Sequence, residues 1–315
     1  MTSPIITVFG GAHIDRRGRI FGVTVPGASN PGGWFEEAGG GGFNAARNLA
    51  RLGLNVRMVG PRGGDAVGET VAAAALAAGV DDRPFIFLDR RTPSYTAILE
   101  NDGNLVIALA DMELYNLFLP RRLRQRAMRD TIAESDLILM DANLPAETLT
   151  ALAEKGRADR KTVAAIAISP AKVVRLVEAF SHLDFLFMNE AEARALTGRE
   201  LADTTEWPDL LRKKGLKGGV ITRGGRSVVA FDDSGAVAVV PPRLDALGDV
   251  TGAGDALASG FLFAALQRKS LAECLRTGVA AAGLTVASPL AVSENMTVTA
   301  LQSAIALVPE AEILS

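Results

Sequence analysis

Six short, nearly continuous apolar runs punctuate the chain, at 5–10, 55–59, 136–140, 163–168, 184–188 and 219–222. Runs of this length without polar alternation are the pattern of strands covered on both faces, as in a parallel sheet. Between them, 44–52, 66–78, 146–154, 171–180 and 190–196 have the length and the Ala, Leu and Glu content of helices. A further apolar stretch, 256–266, reads as a buried helix. The alternation predicts an α/β fold: a doubly wound, mostly parallel sheet flanked by helices. Ligands of such sheets bind beyond the carboxyl ends of the strands, where Asp141, Asn143, Asn189 and Thr222 stand.

Two stretches break the rhythm. Residues 19–25 with a Gly-rich continuation to Trp34, and residues 84–109 with Asn101-Asp102-Gly103-Asn104 between two alternating runs, read as hairpins. They predict a small β-appendage to a single domain spanning 1–315, its strands inserted at about 13–35 and 84–112. Such hairpins either close over a ligand as a lid that excludes water or merely decorate the surface.

Composition narrows the classes. With 315 residues and 48% hydrophobic content the chain can bury one large core. A net charge of −3 gives no general attraction to nucleic acid or anionic membrane, so neither partner is expected. Cys274 is the single cysteine, which excludes an intrachain disulfide and points to a reducing, cytoplasmic compartment. The weakly polar stretch 278–292 is interrupted by Gly283, Thr285, Ser288 and Pro289 and is short of a membrane span. Only His13 and His182 are present, and neither a G-x-S-x-G elbow nor a G-x-x-x-x-G-K-[ST] loop occurs, so hydrolytic triads, zinc sites and P-loop chemistry are not expected.

The densest chemistry lies at Asp249-Val250-Thr251-Gly252-Ala253-Gly254-Asp255, which runs directly into the buried helix. Small residues at a first helical turn leave N–H groups uncovered, and these together with the helix dipole can face an anion. A carboxylate beside such a site is repelled by the anion, and is tolerated most easily if it has a task such as accepting a proton from an attacking hydroxyl. An ordinary N-cap aspartate would give the same local pattern.

Gly39-Gly40-x-Gly42-x-Asn44-x-Ala46-x-x-Leu49-Ala50-x-Leu52-Gly53, followed by Gly64-Asp65-x-x-Gly68, resembles the N-terminal signature of the ribokinase-like (PfkB) carbohydrate kinases. The segment from Asp249 to Asp255 resembles their C-terminal signature, and Asn189-x-x-Glu192 and Thr222-x-Gly224 resemble their magnesium and nucleotide motifs. The resemblance covers essentially the whole chain and implies the lidded ribokinase-like fold, ATP as co-substrate and Mg2+. It implies Asp255 as general base, and Gly252, Ala253 and Gly254 as an anion hole. Asp15, Gly40 and Asn44 would hold the sugar; Asn189 and Glu192 would orient hydrated magnesium; Asn189, Thr222, Gly224, Gly252 and Gly254 would face ATP. Two departures stand out. Ser227 replaces the last glycine of the nucleotide turn, and only the Asp249 half of a monovalent-cation site is recognisable.

Within the family, Ser29-Asn30-Pro31-Gly32, Thr92-Pro93-Ser94-Tyr95, Ala110-Asp111-Met112 and Asp141-Ala142-Asn143 resemble the pseudouridine kinase branch. That implies Ser29, Asn30, Asp111 and Asn143 as further substrate contacts, with acceptors at the pocket mouth reading the extra ring N–H of a C-linked uracil. Another nucleoside, a free sugar, or a sugar phosphate served by Arg16, Arg17 and Arg47 remain alternatives, as does a sensor that binds without turnover. Exposed hairpin edges also admit a homodimer through the lid.

Overall fold

The computed structural model describes residues 3–201, 204–243 and 250–314, and Asp249 falls outside them. From one edge, the central sheet runs Asp81–Asp82, Asn55–Val59, Ile5–Phe9, Leu137–Asp141, Thr162–Ile166, Phe185–Asn189 and Gly219–Arg223, all parallel. Arg226–Asp232, Gly235–Val239 and Glu312–Leu314 continue it antiparallel. The apolar runs are continuous because the two faces alternate between two cores. Leu137 and Leu139 pack with Ile6, Val8, Phe43 and Phe261, while Ile138 and Met140 pack with Phe9, Leu149, Phe180 and Trp207.

The local differences from the pattern have physical reasons. The expected helix at 171–180 is one α turn, Pro170–Val173, continued as the 3-10 segment Val174–His182. The run at 84–92 joins no hairpin: Phe85–Phe87 pairs with Pro61–Gly63. The stretch through Gly278 is the long helix Leu271–Val286. Its glycine is a packing notch, since a Cβ on Gly278 would stand 2.8 Å from the Leu257 carbonyl oxygen, and one on Gly260 would stand 2.7 Å from the Ala281 Cβ. The helix Ala253–Leu266 is therefore seated backbone-close on its neighbour. Among the described residues no helix is long and apolar enough to cross a membrane.

A second sheet of four strands, Gly32–Gly39, His13–Ile20, Ser94–Leu99 and Leu105–Asp111, rises from the carboxyl edge of the central one. Its register puts His13 and Gly39, Ile14 and Ser94, then Asp111 together at the end nearest the central sheet. Asp65 ties it down. The Asp65 carboxylate caps the helix Ala66–Ala77 through the Gly68 N–H and accepts from both the N–H and the hydroxyl of Thr92, two residues before Ser94.

Asp141 closes the carboxyl edge. This fully buried carboxylate accepts from the backbone N–H groups of Gly11 at 2.8 Å, Gly42 at 2.9 Å and Asn143 at 2.9 Å. Gly10 and Gly42 must lack side chains there, because a Cβ on either would lie 2.4 or 2.7 Å from the Asp141 Oδ2. Asp141→Ala leaves three buried donors unpaired. At about 1–3 kcal/mol for each, the expected loss of stability is about 3 kcal/mol or more. Urea unfolding checks this; a loss below about 1 kcal/mol would mean that the three donors do not depend on the carboxylate.

Candidate active site

The helix Ala253–Leu266 begins with Gly252 as its N-cap, in the left-handed region at φ 79°. A Cβ at 252 would also meet the Ala291 carbonyl oxygen at 2.1 Å, so only glycine fits. Asp255 is the third helical residue and the N-cap position belongs to Gly252, which brings no side chain to it; this removes the reading of Asp255 as an ordinary N-cap. Around Gly254 the space is open, with no atom within 4 Å of an added Cβ. The first turn thus presents bare backbone to the cleft.

Asp255 stands on the cleft floor, partly open to it yet closely surrounded. Asn44 donates its Nδ2 to the Asp255 Oδ2 at 2.9 Å. The amide is oriented by Arg47, whose Nη2 donates to the Asn44 Oδ1 at 2.7 Å and to the Ala38 carbonyl at 2.6 Å. Arg47 lies over the Phe43 ring, 4.8 Å from its centroid, and burial pulls its guanidinium down to about 10, against the opposing pull of Glu37. Burial also pushes the Asp255 carboxyl up to about 7; Asp141 and Glu192 add to the rise, while the Asn44 hydrogen bond and Arg47 oppose it. A carboxylate near 7 is matched to proton abstraction at neutral pH.

Beside it, Gly40 caps the helix Gly41–Arg51 at φ 109°, with its Cβ position 2.4 Å from the Gly11 carbonyl oxygen. A Cβ on Gly41 would stand 3.1 Å from the Asp255 Oδ1 and 2.3 Å from the Ile168 Cδ1. Asp15 pairs with the His13 Nε2 at 3.2 Å, and the His13 Nδ1 lies 2.9 Å from the hydroxyl of fully buried Tyr115. Asn143 is buried, its Oδ1 accepting from the Lys172 Nζ at 2.6 Å.

On the other side of Asp255, Asn189 and Glu192 form a reciprocal capping box on the helix Glu190–Thr197. The Glu192 N–H donates to the Asn189 Oδ1 at 2.9 Å, and the Asn189 N–H donates to the Glu192 Oε2 at 2.7 Å. Burial raises the Glu192 carboxyl, and the Asn189 N–H opposes that rise. Thr222 pairs with Asn189 near the end of the adjoining strand, and Gly224, at φ 63°, turns it into the antiparallel strand Arg226–Asp232. Arg226 and Arg223 meet Glu190 at 3.0 and 3.3 Å on this rim.

Ser29 and Asn30 do not join this cluster. They sit in the connection between His13–Ile20 and Gly32–Gly39, at the end of the second sheet farthest from Gly39, about 23 Å along the strand. The Asn30 amide is engaged there with Val25 and Ala28. Asp111 lies at the near end, beside Ser94.

The pattern of the pfkB family carbohydrate kinases matches residues 7–297. The chain belongs to this family. It is a phosphotransferase that acts on a hydroxyl of a sugar or nucleoside. The pseudouridine kinase of Escherichia coli K12 is 29% identical over 278 residues, covering 86% of this chain and 87% of that one. The ribokinase of Haemophilus influenzae is also 29% identical, over 89% and 92%. A carbohydrate kinase from Agrobacterium tumefaciens superposes with a TM-score of 0.91 at 60% identity, over 99% and 100%.

Four residues of this PfkB kinase's cleft escaped the motif reading. The sequence points to Arg47 only as part of a basic cluster for a sugar phosphate, with Arg16 and Arg17. Tyr115 and Lys172 come from segments without a signature, although a lysine two residues after Pro170 at a strand's carboxyl end is a usable signal. Ile168 takes φ 70° in a three-residue turn closed by the Ser169 N–H on the Ala167 carbonyl at 2.9 Å, a conformation that no local pattern announces.

A carbon-detected titration of the aspartate carboxyls should show Asp255 titrating near 7 in the free kinase. The Asn44 hydrogen bond favours the ionised form, so Asn44→Ala should move that midpoint to higher pH. A midpoint near the ordinary carboxylate value, or a downward move in the variant, would contradict this account of the cleft.

Proposed function

We propose that the chain is a pseudouridine kinase that transfers the γ-phosphoryl group of MgATP to the 5′-hydroxyl. The observation that carries the chemistry is Asp255, in the first turn of a glycine-led helix with its carboxyl pushed up to about 7 by burial. Asp255 accepts the hydroxyl proton as the oxygen attacks, and the N–H groups of the Gly252-Ala253-Gly254 turn face the charge that develops on the transferred group. Asn44 holds the base in place, while Asp15, Gly40, Asp111 and Asn143 surround the sugar and its substituent. Asn189, Thr222 and Gly224 face the nucleotide. The residues at 1–315 act as one domain, with the second sheet as its lid.

The substrate reading draws support from the similarity to a pseudouridine kinase over most of both chains. The sugar-phosphate alternative loses its basic cluster: Arg16 meets Glu36 at 3.2 Å, Arg17 pairs with Glu37, and Arg47 is engaged with Asn44 and Ala38. An engaged base at Asp255 argues against a sensor without turnover. A free pentose remains the second reading, favoured by the comparable similarity to a ribokinase.

The donor set suits magnesium. Glu192 Oε2 is engaged by Asn189, its Oε1 has no hydrogen-bond partner among the described residues, and no cluster of three or more metal-ligating side chains occurs among them. One carboxylate beside an amide, with phosphates and waters completing the shell, is how magnesium is usually held. The bound ion would offset phosphate charge. A monovalent-cation site would involve Asp249, outside the described residues.

The lid edge supports a homodimer, with the cytoplasm as the proposed compartment: Leu105–Asp111 is the outer strand of the second sheet, paired on one side only, with Leu105, Ile107 and Leu109 more than half exposed.

Phosphorylation of pseudouridine with kcat/KM well above that for uridine and D-ribose is the expected result of a coupled ADP assay; equal or higher values for either would overturn the substrate assignment. In the same assay Asp255→Asn should lower kcat by roughly 10²–10⁴-fold, and a variant keeping half of it would remove Asp255 as base. Glu192→Gln should raise the magnesium concentration for half activation more than the substrate KM, and an unchanged magnesium curve would take Glu192 out of the metal site.

A further inference from the structure

A concavity of about 830 Å³ lies at the amino ends of the strands among Arg157, Lys161, Asp184 and Lys217, on the side away from Asp255. The cavity that adjoins the cleft is smaller, about 160 Å³, between the lid strand end at Ala110 and Met112, the turn at Glu113 and Asn116, and the side chains of Asn143, Lys172 and Arg175. Its chemistry is lopsided. Asn143 is 2% exposed, and its Oδ1 is occupied by the Lys172 Nζ, so the amide is fixed with Nδ2 free. That Nδ2 has no hydrogen-bond partner among the described residues. Lys172 spends one of its three N–H groups on Asn143, while Arg175 is bound to the carbonyls of Ala142, Asn143 and Leu144 and fixes the loop that carries the amide. Two side chains therefore offer uncommitted donors to one small cavity, and the acceptor side of Asn143 is closed.

An unpaired buried donor is costly unless a ligand supplies the acceptor. The position of the cavity says which part of the ligand that is. A Cβ on Gly11 would stand 2.7 Å from the Asn143 Nδ2, the Gly11 carbonyl abuts Gly40, and Gly41 borders Asp255. The floor thus runs without interruption from the cavity to the proposed base, bare of side chains at 11, 40 and 41, so that a sugar ring can lie between the two ends.

We propose that Lys172 and the Asn143 Nδ2 form a specificity site that binds a carbonyl oxygen of the substituent at the far end of the substrate from the phosphorylated hydroxyl, the dione edge of a pyrimidine base. The inference rests on the nucleoside reading above and reverses one part of the sequence expectation. Asn143 acts as donor to a ring carbonyl, and an acceptor for the extra ring N–H has to come from elsewhere; the Glu113 carboxylate, on the same cavity wall, has the required chemistry.

The test compares wild type, Lys172→Met and Asn143→Asp, each assayed for ADP release with pseudouridine and with D-ribose, which has no base. Asn143→Asp keeps an oxygen for Lys172 and replaces the free donor with a charged acceptor oxygen, which repels a ring carbonyl. The expected result is a 10- to 100-fold fall in the ratio of kcat/KM for pseudouridine to that for ribose in both variants, carried mainly by KM. Lys172→Arg, which retains a cation and donors, should recover part of the ratio. A wild type that prefers pseudouridine while the ratio stays unmoved in both variants, or in which both substrates lose equally, overturns the specificity site alone. A wild type that turns over ribose but no nucleoside overturns the nucleoside reading and this proposal with it.

Discussion

The cleft depends on one buried carboxylate. Asp141 ends a central strand with no exposed surface, and its two oxygens gather N–H groups from three separate backbone segments: the loop after the first strand, the glycine-rich helix start and its own following turn. A charge removed from water is tolerated when its lone pairs are met, and here they are met by donors that the chain must in any case satisfy. The arrangement sets where Gly40, Gly41 and Asn44 lie relative to Asp255. It also sets what cannot change around it, since the glycines at 10 and 42 exist to let the carboxylate in.

The same charge has an electrostatic effect at a distance. Asp141 and Glu192 both raise the Asp255 carboxyl, and burial raises it further, while Asn44 and Arg47 hold it in check. Arg47 is itself pulled down by burial. The balance is between desolvation, which favours the neutral acid, and a hydrogen-bonded amide and a cation, which favour the anion. An aspartate in water would be fully ionised at neutral pH and a weak base. This one is pushed toward the neutral acid by burial, and so toward a stronger base, by the surroundings that the signature residues build.

Fold and site were legible in the chain to different degrees. Runs such as 137–141 announce a parallel sheet because both faces are buried, and the two cores on alternate residues bear that out. The long helix Leu271–Val286 was hidden because Gly283 and Thr285 look like breaks, yet both lie within it, and Gly278 serves close approach to Leu257. The helix start at Gly252 to Asp255 is local and could be read directly. Asn30 resembled a ligand residue by its neighbours in sequence, but the strand between it and Gly39 carries it away. Lys172 and Tyr115 become cleft residues only through the crossing of distant loops, and periodicity carries no trace of that.

Ile168 has a consequence for how far this protein can be stabilised. A β-branched residue at φ 70° costs about 1–3 kcal/mol of backbone energy. Its side chain occupies the notch left by Gly41, next to Asp255, where a smaller residue would admit water. Glycine at 168 would relax the turn and open the floor at once. Tolerance of the strain is therefore tied to dryness around the base. Selection for thermal stability alone would tend to erode this corner, whereas selection for turnover would retain it.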